Sequence, residues 1–245
     1  MAVMSKEPRP YEVFAEWYDA IYSEQGKDYR REPDEVASLI VDRNPVAKTM
    51  MDVGCGTGGH LRYLRDRFEC TGADPSAAML QVARRKLPGL RLISGDSETQ
   101  DLGGEYDAIV CLFSSIAYTR TKARLASSLA NLAAHLRPGG VLIVDGWISP
   151  ASWDTGSIFV DVGTFEGGKI VRVNHSGEED GCSILTWHFV VGTEEGLHWF
   201  DERHVLGLFE PDDYLVPLRQ AGLDVELHVG AAEGRDRFVA VRPSG

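Results

Sequence analysis

Asp52-Val53-Gly54-Cys55-Gly56-Thr57-Gly58-Gly59 lies between a short apolar run, TMMDVG, and a segment with helical spacing, GGHLRYLRDRF. The glycines at 54, 56 and 58 let a strand turn sharply into a helix and bring its backbone close to a ligand with no Cβ in the way. A bare strand–helix turn would use the same residues. A dinucleotide fold is the nearest rival, but it spaces its glycines as GxGxxG to cradle a pyrophosphate. Here the order is DxGxGxG, with Asp52 two residues before the first glycine. An acid beside the ligand is poor for pyrophosphate and suits a cationic amino group.

Outward from this turn, strand and helix alternate. CTGAD, LRLISGD, YDAIVCLFS and VLIVDGW read as strands, and SAAMLQVARRKL and ARLASSLANLAAHL as helices. Ser76 is the expected N-cap of the first of these helices, and RPGG the stop of the second. The continuous apolar run in YDAIVCLFS fits a strand covered on both faces. Five strands separated by helices predict a parallel sheet with right-handed crossovers. Before it, residues 1–10 read as a charged arm, Tyr11–Tyr22 as a helix with an apolar face, and Asp34–Val41 as a second helix. After it, SIFVDVG, KIVRVNHS, CSILTWHFVV and LHWFDERHVLGLF predict an antiparallel meander. PDDYLVPLRQAG closes as a helix at Gly222, and DVELHVG and RFVAVRP are two last strands. The expected organisation is an α/β core with N-terminal helices over 1–150, a β-rich insertion over 151–209, and a closing helix with the last two core strands over 210–245.

Composition narrows the function. Of 245 residues 43% are hydrophobic, enough for a core without metals or disulfides. Acidic residues outnumber basic ones 37 to 25, a formal charge of −12. That balance argues against nucleic acid and against an anionic membrane surface as partners. No apolar run reaches spanning length, and MAVMSKEPRPYE carries no apolar stretch of signal-peptide length. The four cysteines are not spaced as CxxC, so no zinc cage or disulfide framework is expected and a reducing cytoplasm is the default compartment. Seven histidines form no metal motif, and no metal is expected.

DVGCGTGG resembles the first motif of the class I S-adenosylmethionine (SAM)-dependent methyltransferases, which have a Rossmann-like sheet. Asp74 then falls 22 residues after Asp52, at the end of the second strand, where an acid can bind both ribose hydroxyls. Asp96 in ISGDSE ends the third. Three acids at strand C-terminal ends agree with the ligand crevice of open α/β sheets. The resemblance implies a cofactor site of Asp52, Gly54, Gly56, Gly58, Asp74 with Pro75, Met79 along the adenine, Asp96 and Ser97 at its edge, and Leu112 and Phe113 beside the methionine portion. Tyr29 and Arg30, in GKDYRRE, are expected over the SAM carboxylate. S-adenosylhomocysteine would be the product.

Beyond the core, YEVFAEWYDAIYSEQGKDY, FSSIAY, RVNHS and GRDRFVAV resemble the N,N-dimethyltransferases of nucleotide-linked (dTDP) 3-aminodeoxyhexoses that supply antibiotic sugars such as desosamine and mycaminose. The resemblance implies a homodimer. It places Tyr22 beside the transferred methyl, Tyr118 and His175 as further catalytic candidates, Ser114 and Ser115 at the substrate, and Arg235 against the diphosphate. Arg237, two residues along the same strand, is its rival. A guanidinium suits phosphate oxygens because its fork donates to two at once. An O- or C-methyltransferase of another metabolite, or a SAM-binding sensing module without turnover, would share the glycine turn.

Overall fold

A computed structural model describes residues 10–27, 29–98 and 101–244. Most of the predicted N-terminal arm, residues 1–9, lies outside the described residues. The predicted first helix is split. A 3₁₀ turn over Phe14–Trp17 precedes α1 (Tyr18–Glu24), and the chain bends at Trp17 (φ −109°, ψ 2°). The bend lets Phe14 and Tyr22 enter one aromatic cluster with Trp187 and Phe189, so a tertiary contact overrides the helical run.

The chain continues through α2 (Arg31–Arg43), β1 (Thr49–Val53), α3 (Leu61–Leu64), β2 (Glu69–Asp74), α4 (Ala77–Lys86), β3 (Arg91–Ser94), β4 (Tyr106–Cys111), α5 (Lys122–Ala134) and β5 (Leu136–Asp145). Then come β6 (Ile158–Phe165), β7 (Gly168–Glu179), β8 (Cys182–Thr193), β9 (Gly196–Gly207), α6 (Pro211–Gln220), β10 (Asp224–Ala232) and β11 (Arg235–Val241). The main sheet has the order β10-β11-β5-β4-β1-β2-β3. β1 to β5 run parallel, as predicted, while β11 is antiparallel to β5 and β10 to β11. Strand alternation sends Met51, Ile109, Cys111, Leu142 and Val144 under α5 and α6, and Met50, Ala108, Val110, Val141 and Ile143 under α2, α3 and α4. Both faces are therefore covered, which is why these strands carry continuous apolar runs.

Two local expectations are corrected. RPGG does not lie between helix and strand; it belongs to β5, whose pairing with β4 shifts register between Tyr106 and Ala108. The C-terminal chain pairs with it, since Gly139 N–H, at a left-handed φ of +76°, donates to the Arg242 carbonyl and Arg242 N–H to that of Gly140. Of GGHLRYLRDRF only Leu61–Leu64 is α-helical, because Glu69 is already paired with Thr49 in the sheet. Ser76 caps α4 as predicted, its Oγ accepting from Met79 N–H at 3.2 Å.

The predicted meander is a second sheet, β6-β7-β8-β9, wholly antiparallel. Its inner face carries Ile170, Trp187, Phe189, Val191 and Leu206 against Phe14, Ile21 and Tyr22. Its outer face leaves Val160, Val173, Val190 and Trp199 exposed.

Candidate active site

The glycine turn joins the C-terminal end of β1 to the start of α3 in left-handed backbone, with φ of +77° at Gly54, +53° at Gly56 and +79° at Gly58. A Cβ on Gly54 would sit 2.5 Å from the Ser115 Cβ, whereas one on Gly56 would meet nothing within 4 Å. Gly54 is thus glycine because Ser115 closes on it, and Gly56 is conformationally required while leaving open space. Asp74, ending β2, stitches the turn. One oxygen accepts from Gly56 N–H at 2.9 Å, the other from Ser76 N–H at 2.8 Å.

A cavity of about 710 Å³ opens over these strand ends. Gly54, Asp74, Pro75, Asp96, Ser97, Ser115 and Tyr118 line it, so the structure gathers these predicted residues around one space. From α4 the wall is Ala77, Ala78 and Gln81. Met79, expected along the adenine, is instead buried with Ala15 and Val82 beneath the cavity wall, because helical spacing turns it toward the N-terminal segment. Gly58 packs on Leu87, and Leu112 is buried in the core. The N-terminal Pro10, Tyr11 and Glu12, not anticipated, complete the rim.

Asp52 lies under the turn, 1% exposed, and its Oδ2 has no hydrogen-bond partner. Burial, opposed by His60 and reinforced by Asp74, Glu32 and Asp145, raises its carboxyl to about 7. Burial also raises Asp74 to about 6, against the two N–H donors it accepts from. An under-satisfied buried carboxyl poised near neutrality suits a cationic ligand group.

The exit of β4 is strained: Phe113 and Ser114 have φ of 53° and 63°. Phe113 N–H donates to Asp145 Oδ2 at 3.0 Å and Ser114 Oγ to the Gly146 carbonyl at 2.5 Å, which hold the turn. The Phe113 ring meets Tyr22 edge-on at 5.3 Å, with the Lys27 ammonium 3.5 Å and the Arg235 guanidinium 4.6 Å from its centroid. Tyr22 Oη accepts from Arg172 at 3.4 Å. Tyr118 Oη lies 2.8 Å from Tyr11 Oη and 2.7 Å from His204 Nδ1.

The other predicted residues have different surroundings. Arg237 is not a second phosphate candidate. It is 2% exposed, and its Nε and Nη2 engage both oxygens of Asp145 at 2.7 and 3.2 Å. Spacing two along a strand did put it on the face of Arg235, but at the depth of β5 it meets a buried carboxylate. Arg235 is bound through Nη2 to Glu233 at 3.1 Å, and its buried Nε has no partner. His175 is exposed on the outer face of the second sheet with Val173, while Arg172, Asn174 and Ser176 alternate inward, so it does not join Tyr22. Tyr29 is half-buried, its ring filling the space where a Cβ on Gly59 would go and lying 5.4 Å from His60; Arg30 is exposed ahead of α2.

Sequence reasoning missed a buried cluster beside Asp52, in which Glu32 bonds Lys27 at 2.9 Å and His60 at 2.7 Å. Burial pushes the Glu32 carboxyl up, but His60 and Lys27 more than offset it and hold it well below the usual range. Burial lowers the Lys27 ammonium. Among the described residues no group of three or more His, Cys, Asp or Glu is gathered as metal ligands would be, and no helix is long and apolar enough to cross a membrane.

The strand order and the glycine cradle define a Rossmann-like methyltransferase, and a methyltransferase-domain family model matches residues 50–140. The chain is 37% identical over 234 residues to dTDP-3-amino-3,4,6-trideoxy-alpha-D-glucopyranose N,N-dimethyltransferase of Streptomyces venezuelae, covering 94% of this chain and 99% of that protein. It is also 37% identical over 229 residues to dTDP-4-amino-2,3,4,6-tetradeoxy-D-glucose N,N-dimethyltransferase of Saccharopolyspora spinosa, covering 93% and 92%. SAM-bound CalS10, an amino pentose methyltransferase of Micromonospora echinaspora involved in calicheamicin biosynthesis, has a similar solved structure, with a TM-score of 0.83 and 34% identity over 97% of this chain and 100% of that one. The chain belongs to the family of nucleotide-linked amino-sugar N,N-dimethyltransferases.

Proposed function

We propose that this protein is a SAM-dependent N-methyltransferase that dimethylates the amino group of a dTDP-linked aminodeoxyhexose during synthesis of an antibiotic sugar. The observation that carries the reading is the length of the similarity. It runs past the glycine cradle into the N-terminal segment and the second sheet, which are not part of a generic methyltransferase domain. Relatives acting on a 3-amino and on a 4-amino sugar are equally similar, so the amine position is left to experiment.

The residues present fit SAM. The orphaned Oδ2 of Asp52 suits its amino group, Asp74 its ribose hydroxyls, and Asp96 with Ser97 the adenine edge. Leu112 and Phe113 would flank the methionine chain, and Tyr29 with Arg30 its carboxylate. When bound, SAM supplies an electrophilic methyl on a sulfonium. The chain's own task is to hold a neutral amine in line with it and to keep water out. Phe113, Tyr18 and Tyr22 form an aromatic wall suited to exclusion, and the Tyr22 and Tyr118 hydroxyls can orient the amine. Arg235, with an N–H still to satisfy, is the candidate for the diphosphate.

We infer further a homodimer formed through the exposed apolar face of the second sheet, and a reducing cytoplasmic setting, consistent with four unpaired cysteines. A chain of charge −12 is not expected to hold nucleic acid or a membrane surface. The test is mass-spectrometric turnover with SAM against dTDP-linked 3-amino and 4-amino sugars. Addition of two methyl groups to one of them is expected. Methylation of a hydroxyl or carbon acceptor alone would overturn the reading.

A further inference from the structure

Behind Tyr118 stands a buried polar chain that the proposed reaction does not yet use. Glu202 and His204 alternate inward on β9, 2% and 0% exposed. Glu202 accepts from the backbone N–H groups of Tyr11 at 3.0 Å, Val13 at 3.3 Å and Phe14 at 3.1 Å. It also lies 3.2 Å from His204 Nε2, and His204 Nδ1 lies 2.7 Å from Tyr118 Oη. Tyr118 in turn lines the cavity.

Donor and acceptor rules fix the direction at Glu202. A carboxylate surrounded by three N–H donors accepts only, so His204 must donate to it through Nε2. A neutral imidazole with its proton on Nε2 has an acceptor at Nδ1, which Tyr118 Oη reaches at 2.7 Å; when Tyr118 gives that bond its one proton, the Tyr11 hydroxyl at 2.8 Å donates to Tyr118 and one lone pair of the Tyr118 oxygen is left. The imidazole is kept neutral from behind: its ring lies 3.8 Å from that of Trp187, and the Arg172 guanidinium lies 4.5 Å from the Trp187 ring centroid. Burial and Arg172 lower the imidazole while Glu202 raises it, and the net direction is down. The groups facing His204 are therefore Glu202, Tyr118, Tyr11, Trp187 and, beyond it, Arg172.

We propose that Glu202 and His204 are positioning residues for Tyr118: Glu202 fixes the His204 tautomer and His204 Nδ1 accepts a hydrogen bond from the Tyr118 hydroxyl, which leaves a lone pair of that oxygen to accept from an amine N–H in the cavity. This deepens the amine-methylation reading and rests on it. It also gives the site a way to count. A primary amine offers two N–H groups and a secondary amine one, so the second methylation depends more on a correctly aimed acceptor. A neutral tertiary amine offers none, and recognition ends there.

The experiment has two arms. In the first, ¹⁵N-histidine NMR of the wild-type protein without substrate reads the His204 tautomer, assigned by the signal lost in His204→Gln. A proton on Nε2 with bare Nδ1 is expected at neutral pH; a proton on Nδ1, or an imidazolium, overturns the proposal. The second arm follows both methylations of the dTDP-amino sugar that wild type turns over. His204→Leu should lower kcat about tenfold or more with SAM affinity within about twofold, and should raise the ratio of monomethyl to dimethyl product. His204→Gln, which keeps an acceptor, should recover most of that loss. Tyr118→Phe should match His204→Leu, and the double variant should be no slower than either. Multiplying losses, or an unchanged product ratio, would overturn the positioning role. If His204→Leu does not fold, the tautomer and the Gln and Phe variants still decide. Failure of wild type to methylate any amino sugar would instead remove the proposed function, whatever the tautomer.

Discussion

Asp52 and Asp74 end neighbouring parallel strands, and burial raises their carboxyls to about 7 and about 6. A cationic amino group on Asp52 would favour its ionised form, so SAM binding should release a proton wherever free Asp52 is protonated. Affinity should therefore be flat above about pH 7 and weaken as pH falls below it, by up to about tenfold per pH unit. Calorimetry in two buffers of different ionisation heat would show the proton. Asp52→Asn should remove this dependence down to about pH 6, where Asp74 begins to titrate. Asp74→Ala should weaken SAM by about 2–3 kcal/mol through lost charge-assisted hydrogen bonds; an unchanged Kd in a folded variant would dismiss the ribose role. The two arginines of β11 should separate cleanly. Arg237→Ala strands the buried Asp145 carboxylate and should cost about 3–5 kcal/mol in urea unfolding. Arg235→Ala should leave unfolding nearly unchanged and raise the KM for the nucleotide sugar.

The element that matters most is the β1–α3 turn, and two of its glycines make opposite demands. Gly54→Val would drive a side chain into Ser115 and into forbidden backbone, so it should unfold or aggregate. The Cβ of Gly56→Val would meet nothing within 4 Å, so its cost is the φ of +53° that a β-branched residue resists; the chain should be destabilised but still fold, and should no longer bind SAM. Circular dichroism with calorimetry on both variants checks the contrast; normal SAM affinity in Gly56→Val would reject the cradle. The left-handed exit of β4 at Phe113 and Ser114 is the second such element, and Asp145 and Gly146, at the end of β5, hold it in place.

At the scale of the whole molecule, the second sheet shields the N-terminal segment on one face and leaves Ile158, Phe159, Val160 and Val162 exposed along its edge strand, with Leu197 and Trp199 on β9. Apolar surface of this kind on an edge strand is a docking liability unless covered. Light scattering at micromolar concentration should give twice the chain mass, and Phe159→Lys with Val160→Lys should halve it. A single-chain mass for the wild type would count against the dimer.

The order of elements was legible because it is written in local terms. Period-2 and period-3.6 patterns, the glycine turn, the Ser76 cap and the acids at strand ends all act within a few residues, and they point to the cofactor half of the cavity. Tertiary structure alone decided the partnerships. Arg237 meets Asp145 across 92 positions and Tyr118 meets His204 across 86, so neither pairing leaves a periodic trace. The same alternation that places Arg172 inward turns His175 out, and only the docking of the second sheet on the N-terminal segment shows which face is which. Local sequence sets backbone preference and apolar pattern, whereas the depth of a polar group and its partner follow from sheet order and register, which depend on the chain as a whole.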